Sequence, residues 1–336
     1  MKYLTSCLHP WLFSAFLVLS VAIKPTPALA WNDFGHMAVA AIAYKNLKPE
    51  TRSRVDALVS LNPYYSRWLA SCPADCSPTS RKQIAFMLAA TWPDAIKGDS
   101  EYKPDGLDYG FRPDGVTSSL NVGYDDKLLH KYWHFVDYPF SRDGTALPAV
   151  PTPNAETQIE VCRKALASDS STASDALKSY DLNWLLHLVG DVHQPLHCVT
   201  RVTGEFPSGD SGGNFVKIYE CDPPLLLHSF WDEALNSSRD PFDVVKYVDE
   251  LKVVRMAGRK SRPVSAGKAA SDLNARRWID ESVDLAHKKV YTTPVGSSCR
   301  VEKLTAAYRK TARQLAEKRV ILAGVRLGNI LNRELR

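Results

Sequence analysis

The 336-residue chain contains one long apolar run and no second. A multi-pass membrane protein is thereby excluded. It has no marked excess of charge. A formal balance of +5 is too small for a polycation that coats DNA. It is not poor in apolar residues, since 45% are hydrophobic and 10% aromatic, which excludes a disordered chain. No internal repeat is visible. No second close cysteine pair joins Cys72 and Cys76 to complete a Cys-type zinc site. The length supports a sizeable core, in one large domain or two.

The apolar run, Trp11 to Ile23, follows Lys2 and precedes Ala28-Leu29-Ala30. It is shorter than the roughly 20 residues that span a bilayer. A positive start, a short apolar stretch and an A-x-A site together read as a signal peptide, residues 1–30, cut after Ala30. The expected location is then secreted or periplasmic; an uncleaved membrane anchor is the alternative. Loss of Cys7 leaves six cysteines, an even number that suggests disulfides in an exported chain. Cys72 and Cys76 are placed to close a small loop. Cys198 and Cys221 bracket a hairpin, and Cys162 and Cys299 remain. The pairing stays open, because six cysteines allow 15 connectivities.

Most of the remaining chain reads as helix. Phe34 to Asn46, Leu182 to Val192 and Asp272 to Lys289 carry helical spacing. The second of these should stop near Pro195. Val301, Leu304, Tyr308, Leu315 and Leu322 are expected on one face of a long C-terminal helix. Residues 98–123 and 203–214 read as loops, 138–154 as a Pro-rich connector and 257–270 as a basic linker. Phe215 to Tyr219 alternates as one short strand. The expected fold is mainly α, a helical domain with long loops and a short β-hairpin.

Chemistry concentrates in how His and Asp are distributed. His187 and Asp191 stand at i and i+4 on an otherwise apolar helix, and Pro195 can turn His197 back towards them. An imidazole and a carboxylate on such a face cost desolvation unless each has a partner, and a cation serves both. A helix-surface ion pair is the other reading. His228 and Asp232 repeat the spacing. Neutral imidazole with carboxylate suits zinc. Asp94 in TWPDAIK, and His134 with Asp137 in YWHFVDY, fit the same pattern, although each alone reads as a packed aromatic segment. With cleavage after Ala30, the Trp31 α-amine and carbonyl become available as ligands, with His36 just over one helical turn further on.

These segments, in order, resemble the zinc-dependent single-strand nucleases of fungi and plants, the S-one/P-one nuclease family. That family shares its fold with bacterial zinc-dependent phospholipase C. The markers are Trp31 with His36, WPD at 92–94, HFVD at 134–137, HLVGDVHQPLH at 187–197, GGN at 212–214 and HSFWD at 228–232. They cover nearly all of residues 31–336, which implies a single domain.

The resemblance implies three Zn2+. Asp94, His134, His187 and Asp191 would hold one. His197, His228 and Asp232 would hold a second. The Trp31 amine and carbonyl, His36 and Asp191 would hold the third, so Asp191 would bridge two metals. A metal-bridging hydroxide would attack phosphorus in line, with Asp191 and Lys97 as catalytic residues. Phe135 would stack the base, Asp137 would hydrogen-bond it, and Asn214 is a further substrate contact. The substrates implied are single-stranded RNA and DNA and 3′-nucleotides, giving 5′-phosphorylated products. A monomer without a stable protein partner is expected. His130, His193 and His287 are left outside the ligand set. The alternative enzyme is a zinc phospholipase C, whose members typically carry Glu where this chain has Asp232. A zinc-binding protein without turnover is a third possibility. The basic residues Lys303, Arg309, Lys310, Arg313, Lys318 and Arg319 are read as a solvated helix face.

Overall fold

Two interior helices organise the computed structural model. It describes residues 31–335 apart from 107–111, 114–120, 168–171, 220–223, 252–268, 297–299 and 302. The segment read as a signal peptide, nearly all of the basic linker, Cys221 and Cys299 lie outside the described residues. In chain order the helices are α1 (Asp33–Lys45), α2 (Pro49–Val59), α3 (Tyr65–Leu69), α4 (Pro78–Ala89), α5 (Trp92–Ala95), α6 (Ala155–Leu166), α7 (Asp175–Asp191), α8 (Leu227–Asp232), α9 (Pro241–Glu250), α10 (Ala275–Leu285) and α11 (Ala306–Glu334). Among the described residues no helix is long and apolar enough to cross a membrane.

Asn32 caps α1, its side-chain oxygen accepting from the Gly35 amide at 3.2 Å. Every residue from Phe34 to Tyr44 is buried, which marks an interior helix rather than a surface one. α7 is the second interior helix. Ser174 caps it, and Ser179 to Asp191 are all buried. α1 packs against α4, α7, α9 and α11. Gly324 and Gly328 of α11 make the last contact possible. A Cβ at 324 would lie 2.6 Å from Ile42 Cβ, and one at 328 would lie 3.2 Å from the Ala43 carbonyl. α7 ends at Asp191, and Pro195 opens a 3-10 turn, Pro195–Cys198, as its position predicted.

Three expectations are corrected. The C-terminal helix starts at Ala306, so Val301 and Leu304 precede it. Val301 instead pairs with Ile218. The buried face of α11 runs through Tyr308, Ala312, Ala316, Val320, Ala323 and Leu327, leaving Leu315 and Leu322 half-buried. The apolar face of this helix rests on alanines, which the choice of large residues overlooked. Arg319 leaves the solvated basic set. It is buried, donating to the Glu281 carboxylate at 2.7 Å and to the His193 carbonyl at 3.1 Å.

The strands differ from the expected hairpin in one respect. β2 (Val199–Val202) follows Cys198 but pairs in parallel with β1 (Tyr138–Ser141), inside the segment read as a connector. The hairpin is formed by β3 (Lys217–Ile218) and β4 (Leu225–Leu226), and β5 (Arg300–Val301) pairs in parallel with β3. Cys198 and Cys162 are buried free thiols, and the Cys72 and Cys76 sulfurs lie 3.1 Å apart.

Candidate metal centre

The centre is assembled from five separate stretches of chain. Trp31 folds back over the start of α1, and its indole N–H donates to the Gly190 carbonyl at 3.0 Å. Gly35 permits the fold-back, since a Cβ there would lie 2.6 Å from Trp31 Cβ. One turn into α1, the His36 ring stacks on that of His187, with centroids 3.8 Å apart. A Cβ at Gly190 would sit 2.9 Å from His36 Nδ1, so glycine is required for α1 and α7 to meet here.

His187 and Asp191 share one face of α7, with Nε2 and Oδ2 3.3 Å apart. Asp94 arrives from α5 and His134 from the 3-10 turn Lys131–His134. His134 Nδ1 lies 2.8 Å from His187 Nε2, 3.4 Å from Asp191 Oδ2 and 3.7 Å from Asp94 Oδ1. Asp191 Oδ1 faces His36 Nε2 at 3.3 Å. His197, in the turn after α7, faces His228 of α8, with Asp232 one helical turn beyond.

Backbone carbonyls set the imidazole tautomers. His187 Nδ1 donates to Ala90 O at 2.8 Å, His197 Nδ1 to His134 O at 2.7 Å and His228 Nδ1 to Gly212 O at 2.7 Å. A carbonyl only accepts, so each Nδ1 carries the proton and each Nε2 presents a lone pair. The two Nε2 atoms of His197 and His228 are 2.9 Å apart, lone pair against lone pair. Gln194 adds an outer support, its amide N–H donating to Asp232 Oδ1 at 2.7 Å.

Burial governs the charges. It pushes His187 down to about 3 and His228 to about 4, and holds His36, His134 and His197 well below the usual imidazole value. It pushes the Asp191 and Asp232 carboxyls well up, with repulsion from Asp94 added in both. Both Asp191 oxygens, both His36 ring nitrogens and His134 Nε2 are buried without a hydrogen-bond partner. Each such atom costs on the order of 1–3 kcal/mol.

These atoms fit a metal cluster. Three groups have their ligand atoms within 4.8 Å of one another: His36, His187 and Asp191; Asp94, His134 and His187; His197, His228 and Asp232. Tetrahedral zinc with ligands at about 2.0–2.1 Å spaces them roughly 3.3 Å apart, close to several separations found here. The donors are imidazole and carboxylate without thiolate, a set that suits zinc.

The remaining candidate residues border this cluster. Lys97 donates from Nζ to Asp94 Oδ1 at 2.6 Å and is itself mostly buried. Phe135 and Asp137 follow His134 and are half-buried. Burial, then the charge of Asp210, pushes Asp137 up to about 7. The Asn214 amide is taken up within its own turn, donating to Ser211 O at 2.8 Å.

The three histidines left out of the ligand set stay out. His193 donates to Val189 O and accepts from Arg326. His130 is clamped between Asp105 and Asp126 at 2.7 and 2.6 Å and stacks on Trp133. His287 packs on Phe140. Sequence reasoning missed Gln194 and the Ala90 and Gly212 carbonyls. The Gln194 signal lay inside HQPLH. A carbonyl leaves no residue-type signal.

A family model described as S1/P1 nuclease matches residues 31–336. Among curated proteins, Endonuclease 3 of Arabidopsis thaliana is 26% identical, over 97% of this chain and 95% of its own. Endonuclease 4 of the same plant is 25% identical, over 98% and 96%. Endonuclease 5 is 28% identical, over 91% and 90%.

Proposed function

The chain belongs to the S1/P1 nuclease family, and on that footing we propose that it is an exported, zinc-dependent phosphodiesterase. It hydrolyses single-stranded RNA and DNA to 5′-phosphorylated products and removes the phosphate from free 3′-nucleotides. The observation that carries the metal dependence is the facing pair of unprotonated Nε2 atoms on His197 and His228, 2.9 Å apart beside Asp232. Two lone pairs at that distance repel unless a proton or a metal cation lies between them, and burial, which lowers both imidazoles, disfavours the proton.

Three zinc ions would engage both orphaned Asp191 oxygens and one nitrogen of His36. Asp94, His134, His187 and Asp191 would hold one. His197, His228 and Asp232 would hold the second. The Trp31 amine and carbonyl, His36 and Asp191 would hold the third. Zinc supplies Lewis-acid charge to the phosphoryl oxygens and makes water a nucleophile at neutral pH.

The protein's own groups do the rest. Asp191 joins two sites through its two oxygens. Lys97 brings an ammonium to the phosphate. Phe135 stacks the neighbouring base, a contact worth roughly 1–3 kcal/mol that tolerates any base. Asp137 hydrogen-bonds that base, and Asn214 contributes an amide at the rim. A base seated on Phe135 must first leave its own stack, which favours single strands. Residues 31–336 act as one domain and as a monomer.

Product analysis of single-stranded RNA, single-stranded DNA and 3′-AMP tests this with the chain that starts at Trp31. EDTA-sensitive release of 5′-phosphorylated fragments, and of phosphate from 3′-AMP, is the expected result. Zinc bound without any cleavage, or headgroup release from a phospholipid instead, would replace the nuclease with a lipase or a non-catalytic zinc protein.

Zinc loading at pH 7 should release protons. Burial raises the Asp191 and Asp232 carboxyls, which favours their protonated forms in the metal-free site, and a binding cation displaces those protons to solvent. His187 and His228 contribute none, because they stay neutral down to about 3 and 4. Calorimetric titrations in two buffers of different ionisation enthalpy should therefore give different apparent enthalpies. Equal enthalpies would mean that both carboxylates were already ionised.

A further inference from the structure

We propose that Asp210, which is not among the metal ligands, is the positioning residue that makes His228 a zinc ligand; this rests on the three-zinc reading above. His228 offers Nε2 because its Nδ1 proton is held by the Gly212 carbonyl at 2.7 Å. That carbonyl belongs to an unusual turn. Gly209, Ser211, Gly212 and Gly213 have φ of +100°, +51°, +59° and +81°. For Ser211, which has a Cβ, this left-handed conformation is strained. The turn cannot relax outward freely. A Cβ at 209 would meet Thr200 Oγ1 at 2.1 Å, and one at 212 would meet the Leu196 carbonyl at 2.3 Å.

The turn is held by the Asp210 carboxylate, which is fully buried. Its Oδ1 accepts from the Arg201 amide at 2.9 Å and from the Gly213 amide at 3.1 Å. Tyr291 O–H donates to Oδ2 at 2.9 Å, and Arg201 Nε lies 3.3 Å from Oδ2. The backbone adds Asp210 N–H to Arg201 O at 2.9 Å, and Ser211 N–H donates to Thr200 Oγ1 at 3.1 Å. Two backbone amides, a hydroxyl and the Arg201 guanidinium surround the two oxygens, an arrangement that suits an ionised carboxylate better than an amide. Asparagine keeps one acceptor oxygen: with it facing the Gly213 and Arg201 amides, its N–H group points at Arg201 Nε and the charge opposite that guanidinium is lost, and turned the other way it leaves the Gly213 amide without its acceptor. Gly213 directly follows the carbonyl that fixes His228. Once that carbonyl moves, the His228 proton is free to shift to Nε2, which then cannot ligate.

Outer partners of this kind typically change metal affinity 10–100-fold. Asp210→Asn should therefore weaken one zinc of three. Chelator competition with zinc alone should show one equivalent per chain with its midpoint raised 10–100-fold, and two equivalents unchanged. At saturating zinc, kcat should return, which separates a lost metal from a lost fold. Tyr291→Phe is the second variant. It removes the hydroxyl donor from Asp210 Oδ2 and leaves the turn and His228 untouched, so the same single equivalent should weaken by a smaller factor. Should Asp210→Asn not fold, Tyr291→Phe decides, and unchanged midpoints in it would overturn the proposal. Three equivalents at unchanged midpoints in a folded variant would overturn the assignment of Asp210. A wild-type chain that does not bind three zinc ions would overturn the three-zinc reading instead, so the two failures are distinguishable.

Discussion

Asp191→Asn is expected to lower turnover by about three orders of magnitude. The substitution keeps the shape of the side chain but removes its charge and one anionic oxygen. Both oxygens are in use. Oδ1 faces His36, and Oδ2 faces His187 and His134. One change therefore damages two metal sites at once. A metal's charge stabilises a phosphoryl transition state by several kcal/mol, and about 4 kcal/mol corresponds to roughly a thousandfold in rate. Zinc content should fall by at least one equivalent, measured by atomic absorption on protein passed through a desalting column. The metal-free fold should not suffer, because a neutral amide replaces a carboxyl that burial already disfavours as an anion. Wild-type turnover with full zinc in this variant would remove Asp191 from the centre.

Stripping zinc should lower the melting temperature by about 20 °C. Each site occupied at a thousandfold excess over its Kd contributes about 4 kcal/mol, so three sites contribute about 12 kcal/mol. For a chain of this size, 1 kcal/mol moves the midpoint by about 2 °C. The size of the effect follows from where the ligands originate. Trp31 and Asp232 stand at the two ends of the proposed ligand set, to which α1, α5, α7 and α8 each contribute candidate residues. Without the cations, these segments bring together buried donors and acceptors that lack partners. Calorimetry with and without EDTA tests this, and midpoints within 3 °C of each other would mean that the fold holds the site open unaided.

Much of this was legible in the sequence where chemistry follows spacing. His187 with Asp191, and His228 with Asp232, need only helical geometry to converge, and both pairs do. Pro195 marked the turn that returns His197. The structure also bears out the mainly helical fold. What spacing could not reveal depends on neighbours distant in sequence. β1 and β2 are short strands whose pairing is set by the turns either side of His134 and His197, not by a local pattern. The seam of α11 against α1 is built from alanine and glycine, which carry little weight in any hydrophobic period. Arg319 resembles its solvated neighbours until Glu281 and the His193 carbonyl are placed opposite it. The tautomer-setting carbonyls belong to the backbone, so only folding reveals them.

The glycine seam between α1 and α11 has a consequence for how the molecule comes into being. α1 emerges first in synthesis and carries His36, while a large part of the surface that buries it belongs to α11, at the other end of the chain. A nascent or truncated polypeptide without α11 therefore leaves one face of α1 uncovered, although α4, α7 and α9 already pack on the others. Full burial of the helix that carries His36 waits on α11, so its final packing is a late event, set by topology rather than by local sequence.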